Sequence, residues 1–310
     1  MSMYACLNFV PTTRHDTYAS VDPALADLSG KVVLVTGASR GIGQAVAVAF
    51  AEAGVSGLVL LARSDIQATY DACIAAAAHR AQSADVPALS LKVLMLTADI
   101  TDAAQVADAI AQVNTAFGRL DVLVNNAGRH ETLRCIGDAD ADPADWWDTC
   151  TTTVNVRGTY LVTRACLPLL LADGAGTVVN IASIAALWLG GHNSAYAMSK
   201  LALLRFTELL MAEYGARGLL AHALSPGLIE TSLTTSAGLV RPGVPLDTPA
   251  LAAHTLVWLV RERREWLAGR YVSCQWDVDE LLARREEVVK GDKLKVRLDE
   301  PLIIRNTIIR

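Results

Sequence analysis

The sequence predicts a doubly wound α/β fold: one mainly parallel sheet, flanked by helices on both faces, in a single domain. Three observations carry this reading. Short β-branched runs alternate with longer Ala-rich stretches of helical character along most of the chain. The strand runs are almost continuously apolar, as strands covered on both faces must be. The chain has 310 residues, 52% hydrophobic and 19% charged, with a mean hydropathy of +0.32, too apolar for disorder and too evenly interrupted for a membrane protein. Domains of this class extend to such lengths as one unit. At this size folding buries about 75% of the unfolded surface, so the core needs no disulfide or structural metal.

Residues 1–29 show no sustained periodicity and are punctuated by Pro11, Pro23 and Ser29-Gly30, which reads as a loosely ordered N-terminal arm. The main domain spans 30–276. Strands are expected at 32–36 (VVLVT), 57–62 (GLVLLA), 91–97 (LKVLMLT), 121–125 (DVLVN), 177–183 (TVVNIAS) and 219–225 (LLAHALS). Helices are expected at 42–53, 66–82, 103–116, within 142–172 and at 194–215. Residues 228–248 form a loop rich in Gly, Pro, Ser and Thr, long enough to read as a substrate lid. A helix at about 249–264 and a short strand at 270–273 follow. The extension over 277–310 reads as a charged helix (277–290) and an irregular tail. Its mixed signs, ELLARREEVVKGDK, suit a solvated helix face better than a nucleic-acid contact.

A net charge of −5 and a pI near 5.7 argue against a general nucleic-acid binder, which needs clustered Lys and Arg. Cys6, Cys73, Cys135, Cys150, Cys166 and Cys274 are scattered without a C-x-x-C pair and read as reduced thiols. His130 and His192 lack ligand spacing and read as loop histidines at pocket edges, so no metal site is expected. Trp146 and Trp147, on a predicted helix, read as core or interface residues. The N-terminus lacks a basic stretch followed by an apolar one, and no run approaches the roughly 18 apolar residues of a membrane span. A cytoplasmic location without membrane partners is expected.

Directly after the first strand comes Thr36-Gly37-Ala38-Ser39-Arg40-Gly41-Ile42-Gly43, opening into a helix. Glycines there permit positive φ, allow a pyrophosphate to approach the backbone, and place it on a helix N-terminus. The spacing G-x-x-x-G-x-G departs from the common G-x-G-x-x-G. Tyr196 and Lys200 stand four apart on one predicted helix, so both side chains share a face. A nearby ammonium favours the phenolate and brings a phenol toward working pH. Alone, that pair is an ordinary surface spacing. Ser183, ending the fifth strand at the carboxyl edge of the sheet, can hydrogen-bond a substrate oxygen as charge develops.

Together, T-G-x-x-x-G-I-G at 36–43, Asn125-Asn126-Ala127-Gly128, Ser183, Tyr196-x-x-x-Lys200 and Pro226-Gly227 resemble the short-chain dehydrogenases/reductases in order and spacing. The resemblance covers about 30–273, and 269–298 resembles an extension carried by many fungal members, pointing to secondary metabolism. It implies a Rossmann-like fold, with Gly37, Ser39, Arg40, Gly41, Ile42, Gly43, Asn126, Ala127, Gly128, Pro226 and Gly227 around a nicotinamide cofactor. It further implies Asn155 organising a proton relay, Thr231 contacting the nicotinamide carboxamide, Lys200 holding its ribose, and Asp99 contacting adenine. For Asp99, capping the helix that starts near Asp102 is the structural alternative. Asn125 reads as a brace between strands.

An acidic residue about 20 positions past the glycine turn reads a ribose 2′-OH, whereas Arg meets a 2′-phosphate. Arg63 stands twenty past Gly43, and Arg40 can face the same phosphate, so NADP(H) is expected; a strand two residues longer would instead present Asp65 and favour NAD(H). The expected activity is reduction of a ketone or aldehyde of an apolar small molecule, with Tyr196 as general acid. Leu187, Trp188, Leu189, Leu228 and Leu233 are the apolar pocket candidates. Alternatives are NAD-dependent alcohol oxidation, and a non-redox isomerase, cyclase or cofactor-sensing protein on the same fold. A homodimer or homotetramer is expected from the resemblance.

Overall fold

The computed structural model describes residues 9–83, 91–140, 142–240 and 242–297. Seven strands form one sheet: β1 (Val32–Thr36), β2 (Gly57–Ala62), β3 (Lys92–Thr97), β4 (Val122–Asn125), β5 (Thr177–Ile181), β6 (Leu220–Ser225) and β7 (Tyr271–Ser273). Their order is β3-β2-β1-β4-β5-β6-β7 and every pairing is parallel. The chain builds outward from β1 to β3, then returns to place β4 against β1, with Val35 opposite Val124. This reversal opens a crevice beyond the carboxyl ends of β1 and β4, the place where ligands bind in such sheets.

The connecting helices are α1 (Gly41–Glu52), α2 (Gln67–Ser83), α3 (Ala103–Phe117), α4 (Thr159–Leu170), α5 (Ser194–Tyr214), α6 (Ser232–Ser236) and α7 (Pro249–Arg261). Alternate strand side chains feed two cores, because successive residues point to opposite faces. On one face Val33, Val35, Leu58 and Leu60 pack with Phe50 of α1 and Trp258 of α7. On the other Leu34, Val59, Leu61 and Leu123 pack with Ile110 of α3, Val162 of α4 and Leu210 of α5. The doubly wound sheet with helices on both faces is thus the fold of the chain.

Local structure departs from the expectations at three places. The helix within 142–172 forms in two pieces, a π-helical stretch Asp145–Gly158 running directly into α4. The charged helix breaks at Arg284 into α8 (Val278–Ala283) and α9 (Arg285–Lys290), with Asp277 capping α8 by accepting from the Asp279 and Glu280 amides. Residues 9–29 are not a loose arm. Thr13 bridges Trp276 in antiparallel fashion, the Arg14 guanidinium lies 2.6 Å from Asp277, and Val10 and Val21 are buried. These partners lie more than 260 residues away, beyond anything local periodicity can register. The extension also covers the outer edge of the sheet, where the Tyr271 amide donates to the Leu294 carbonyl at 2.8 Å.

Candidate active site

Gly37 carries φ of +67°, and its amide donates to the Leu61 carbonyl, which folds the turn over the end of β2. A Cβ on Gly43 would stand 2.2 Å from the Gly37 carbonyl oxygen, so the turn closes only with hydrogen there. Asn126 straps β4 to this turn: its Nδ2 donates to the carbonyls of Thr36 and Gly37 at 2.9 and 3.2 Å, and Thr36 Oγ1 accepts from the Asn126 and Ala127 amides. No side chain caps α1 at Arg40, leaving its first amides for an anion. An uncapped twelve-residue helix behind a turn that excludes side chains at Gly37 and Gly43 fits a dinucleotide pyrophosphate.

The groups around the adenosine end are tied together. β2 stops at Ala62, so Arg63 is the first residue past its carboxyl end, and its guanidinium lies 3.3 Å from Asp99. Asp65 lies beyond the strand and accepts the Gln67 amide at 3.0 Å, at the start of α2. Asp99 does not cap α3; Asp102 does, accepting from Ala104 and Gln105. Partial burial pushes the Asp99 carboxyl up, but hydrogen bonds from Thr101 and Arg63 outweigh it and hold the group below its usual range. The Ser64 and Ser39 hydroxyls join the two turns at 2.9 Å. Thr231 caps α6 in a capping box with Thr234, and its methyl would stand 3.4 Å from a Cβ at Gly41, so the 228–248 loop reaches back to the glycine turn.

Ser183, Tyr196 and Lys200 meet beyond the carboxyl end of β5. Ser183 starts a 3₁₀ turn, its Oγ accepting the Ala185 amide at 3.1 Å, and its hydroxyl draws the Tyr196 phenol down. Lys200 Nζ donates to the Ile181 carbonyl at 2.7 Å and sits 5.4 Å from the Tyr196 ring centroid. Burial brings the lysine down to about 8. The expected lowering of the phenol is reversed in the protein alone: burial pushes Tyr196 up to about 12, against the pull of Ser183 and with the help of Glu131. Desolvation is the largest of these effects.

Asn155, 1% exposed, occupies the π-helical stretch. Its Oδ1 accepts the Arg129 amide, and its Nδ2 donates to the Arg129 carbonyl and to Ser199 Oγ; it clamps the loop after Gly128. Asn125 braces the sheet, donating to Thr163 and Asn180 at 2.9 Å each. Gly227, at φ +89°, turns beneath Asp247, whose carboxylate accepts the Leu228 amide at 2.6 Å. That buried carboxylate also meets His15 at 2.7 Å and Gln275, joining both ends of the 228–248 loop to the arm. No sequence pattern marks Asp247, because its partners come from three separate segments.

Among the pocket candidates, Leu228 and Leu233 are half-buried on the 228–248 loop, and the Trp188 ring folds over Gly190. Leu189 is 99% exposed and lines nothing within the chain. Leu187 faces a cavity of about 380 Å³ with Leu204, Tyr271 and Trp276, between α5 and the extension, whose walls include none of the Ser183, Tyr196 and Lys200 set.

The two histidines separate. His192, at φ 72°, is exposed, its Nδ1 3.3 Å from Cys135 Sγ, with Asp138 adjacent. Two loops bring these groups together, which linear spacing cannot show. His130 is not at a pocket edge: its side chain is 1% exposed and stacks on Tyr196, ring centroids 4.2 Å apart. Glu131, unmarked by any motif, lies beneath the same tyrosine. Among the described residues, no helix is long and apolar enough to cross a membrane.

The short chain dehydrogenase family model matches residues 31–239. A short chain dehydrogenase of Monascus purpureus is 48% identical over 294 residues, covering 95% of this chain and 97% of that one. Another from Emericella variicolor is 41% identical, covering 94% and 96%. The crystal structure of levodione reductase superposes with a TM-score of 0.66 at 26% identity, covering 78% of this chain and 95% of that one. With a glycine turn built for a dinucleotide and Ser183, Tyr196 and Lys200 gathered beside it, the chain belongs to the short-chain dehydrogenase family, oxidoreductases that use NAD or NADP.

Proposed function

We propose that this protein reduces a ketone or aldehyde of an apolar small molecule with NADPH, Tyr196 giving the proton. The convergence of Ser183, Tyr196 and Lys200 at the sheet's carboxyl edge carries this reading. Ser183 donates a hydrogen bond to the carbonyl oxygen as negative charge develops there. Tyr196 delivers its proton to that oxygen, and Lys200, buried and close to the phenol, stabilises the phenolate left behind. Bound nicotinamide supplies the hydride. Asn155 holds the 128–129 backbone against this cluster through Arg129.

The preference for NADPH rests on Arg63 and Arg40. Both are exposed, and β2 ends one residue before Arg63, while Asp65 is occupied at the start of α2. A guanidinium facing the ribose suits a 2′-phosphate. The relatives' fungal sources and the extension shared with them favour a secondary-metabolite substrate. A cytoplasmic enzyme is our reading of its place in the cell.

Purified protein incubated with apolar ketones, aldehydes and quinones is expected to oxidise NADPH faster than NADH. Tyr196→Phe is expected to lose at least about a hundredfold in kcat, the lower end of general-acid contributions. Arg63→Ala is expected to narrow the preference for NADPH about tenfold, since a charge-assisted hydrogen bond contributes roughly 1.5 kcal/mol or more. Tight NADPH binding with no turnover across the panel would count against the reductase reading.

A further inference from the structure

We propose that Glu131 is a positioning residue for Tyr196: it caps the first turn of α5 from a distant segment and, as a buried negative charge, keeps the proton on the phenol. The inference rests on Tyr196 being the proton donor proposed above.

Helix α5 opens with a deficiency. Asn193, at its N-cap, provides no side-chain hydrogen bond, so the first-turn amides need another acceptor. Glu131 supplies it from 65 residues upstream, both carboxylate oxygens lying 3.1 Å from the Tyr196 amide. The helix dipole favours a negative charge at this end. Glu131 is only 5% exposed, and a carboxylate so placed is costly unless it is paired. The Tyr196 amide meets that need, with His130 Nδ1 nearby at 3.4 Å from Oε2.

The same residue therefore fixes the backbone of Tyr196 and sets the field at its ring. His130 stacks on the phenol at 4.2 Å while its Nδ1 contacts the Glu131 carbonyl at 2.8 Å, so the ring's neighbour on that face is a flat, dry wall. The charged or titratable groups near the phenol are Glu131 and His130 on the loop after β4, and Lys200 on α5. Farther out stands the Arg129–Asp145 pair, 3.9 Å apart, while Ser183 contributes an uncharged hydroxyl. Glu131 and Lys200 thus act on the phenol with opposite sign. The lysine favours phenolate and the glutamate opposes it, which widens the pH range over which Tyr196 carries a proton to give.

The test needs neither substrate nor cofactor. Nitration of tyrosine by tetranitromethane proceeds through the phenolate, so its rate at Tyr196, mapped by peptide mass spectrometry at mildly alkaline pH, reports the phenolate fraction. Glu131→Gln keeps an oxygen for the Tyr196 amide and removes the charge. It is expected to be nitrated at Tyr196 about tenfold faster, the change produced by one unit of pKa, while hydrogen exchange at the Tyr196 amide stays slow. Glu131→Ala removes both functions and is expected to lose that protection, which Gln restores. Unchanged nitration in Glu131→Gln would overturn the proposal, and so would faster nitration accompanied by lost amide protection, which marks a loosened helix. Failure of the reductase reading would appear separately, as absent NADPH turnover in the wild type with the nitration pattern intact.

Discussion

Lys200 is a side chain that is expensive for the fold and that the proposed reaction uses. Its ammonium is buried, and burial lowers it from an ordinary 10.5 to about 8. Between those values the unfolded chain binds more protons than the folded one, so stability rises as pH climbs from about 8 toward 10.5, and is lowest where the buried lysine is charged. Lys200→Met removes that penalty at the loss of one hydrogen bond to the Ile181 carbonyl. It is expected to raise the neutral-pH melting temperature by about 2–4 °C, a change of order 1 kcal/mol for a domain this large, while abolishing turnover. Thermal unfolding followed by circular dichroism checks it, and a lower melting temperature would show that the Ile181 bond outweighs the desolvation. A higher melting temperature in the variant would mean that the lysine is kept at a cost in stability, as functional sites often require.

At the scale of elements, what the sequence disclosed and what it hid divide by distance along the chain. β1, β2 and α1 were legible because their signals are local: apolar runs covered on both faces, and glycines at a turn whose geometry excludes side chains. That Ser183, Tyr196 and Lys200 come together was legible only through the family resemblance, since the Tyr196–Lys200 spacing alone is an ordinary one. Glu131, His130 and Asp247 were not, since each acquires its role from segments tens to hundreds of residues away. The arm failed for the same reason. Its ordering rests on Asp277, which caps α8 and binds Arg14 through Nε and Nη2 at 2.9 and 2.6 Å. Burial pushes the Asp277 carboxyl up, but Arg14 and the α8 amides outweigh it and leave it below its usual range. Its contribution is thus present above the unfolded carboxylate value and lost as pH falls through the folded one. Asp277→Ala is expected to cost about 1–2 kcal/mol, measured by urea denaturation at neutral pH. The difference from wild type should shrink in acid; a constant difference would mean that the charge is not what holds the arm.

For the whole molecule, the two sheet edges are treated differently. β3 stays at the surface, with Lys92 and Met95 exposed along it, whereas β7 is sealed by the extension. Exposed apolar side chains instead collect on α4 and α5, where Tyr160, Met198, Leu201 and Leu209 are each 40–55% exposed. Met198, Leu201 and Leu209 fall on one stripe at helical spacing. This stripe is the surface on which the self-association expected from the sequence can be tested. Against the wild-type mass by light scattering coupled to size exclusion, Leu201→Glu is expected to give a smaller species; an unchanged mass would count against this stripe as an interface.

The meeting of the arm with the extension also orders events in time. Thr12, Thr13 and Arg14 are synthesised early, but Glu280, Trp276 and Asp277, their partners, emerge some 260 residues later. At the usual pace of translation that interval is about 13–50 s. Throughout it the sheet can assemble from β1 to β6 while Thr12, Thr13 and Arg14 lack these partners. Docking of residues 12–14 therefore waits until the chain has been made past the end of β7.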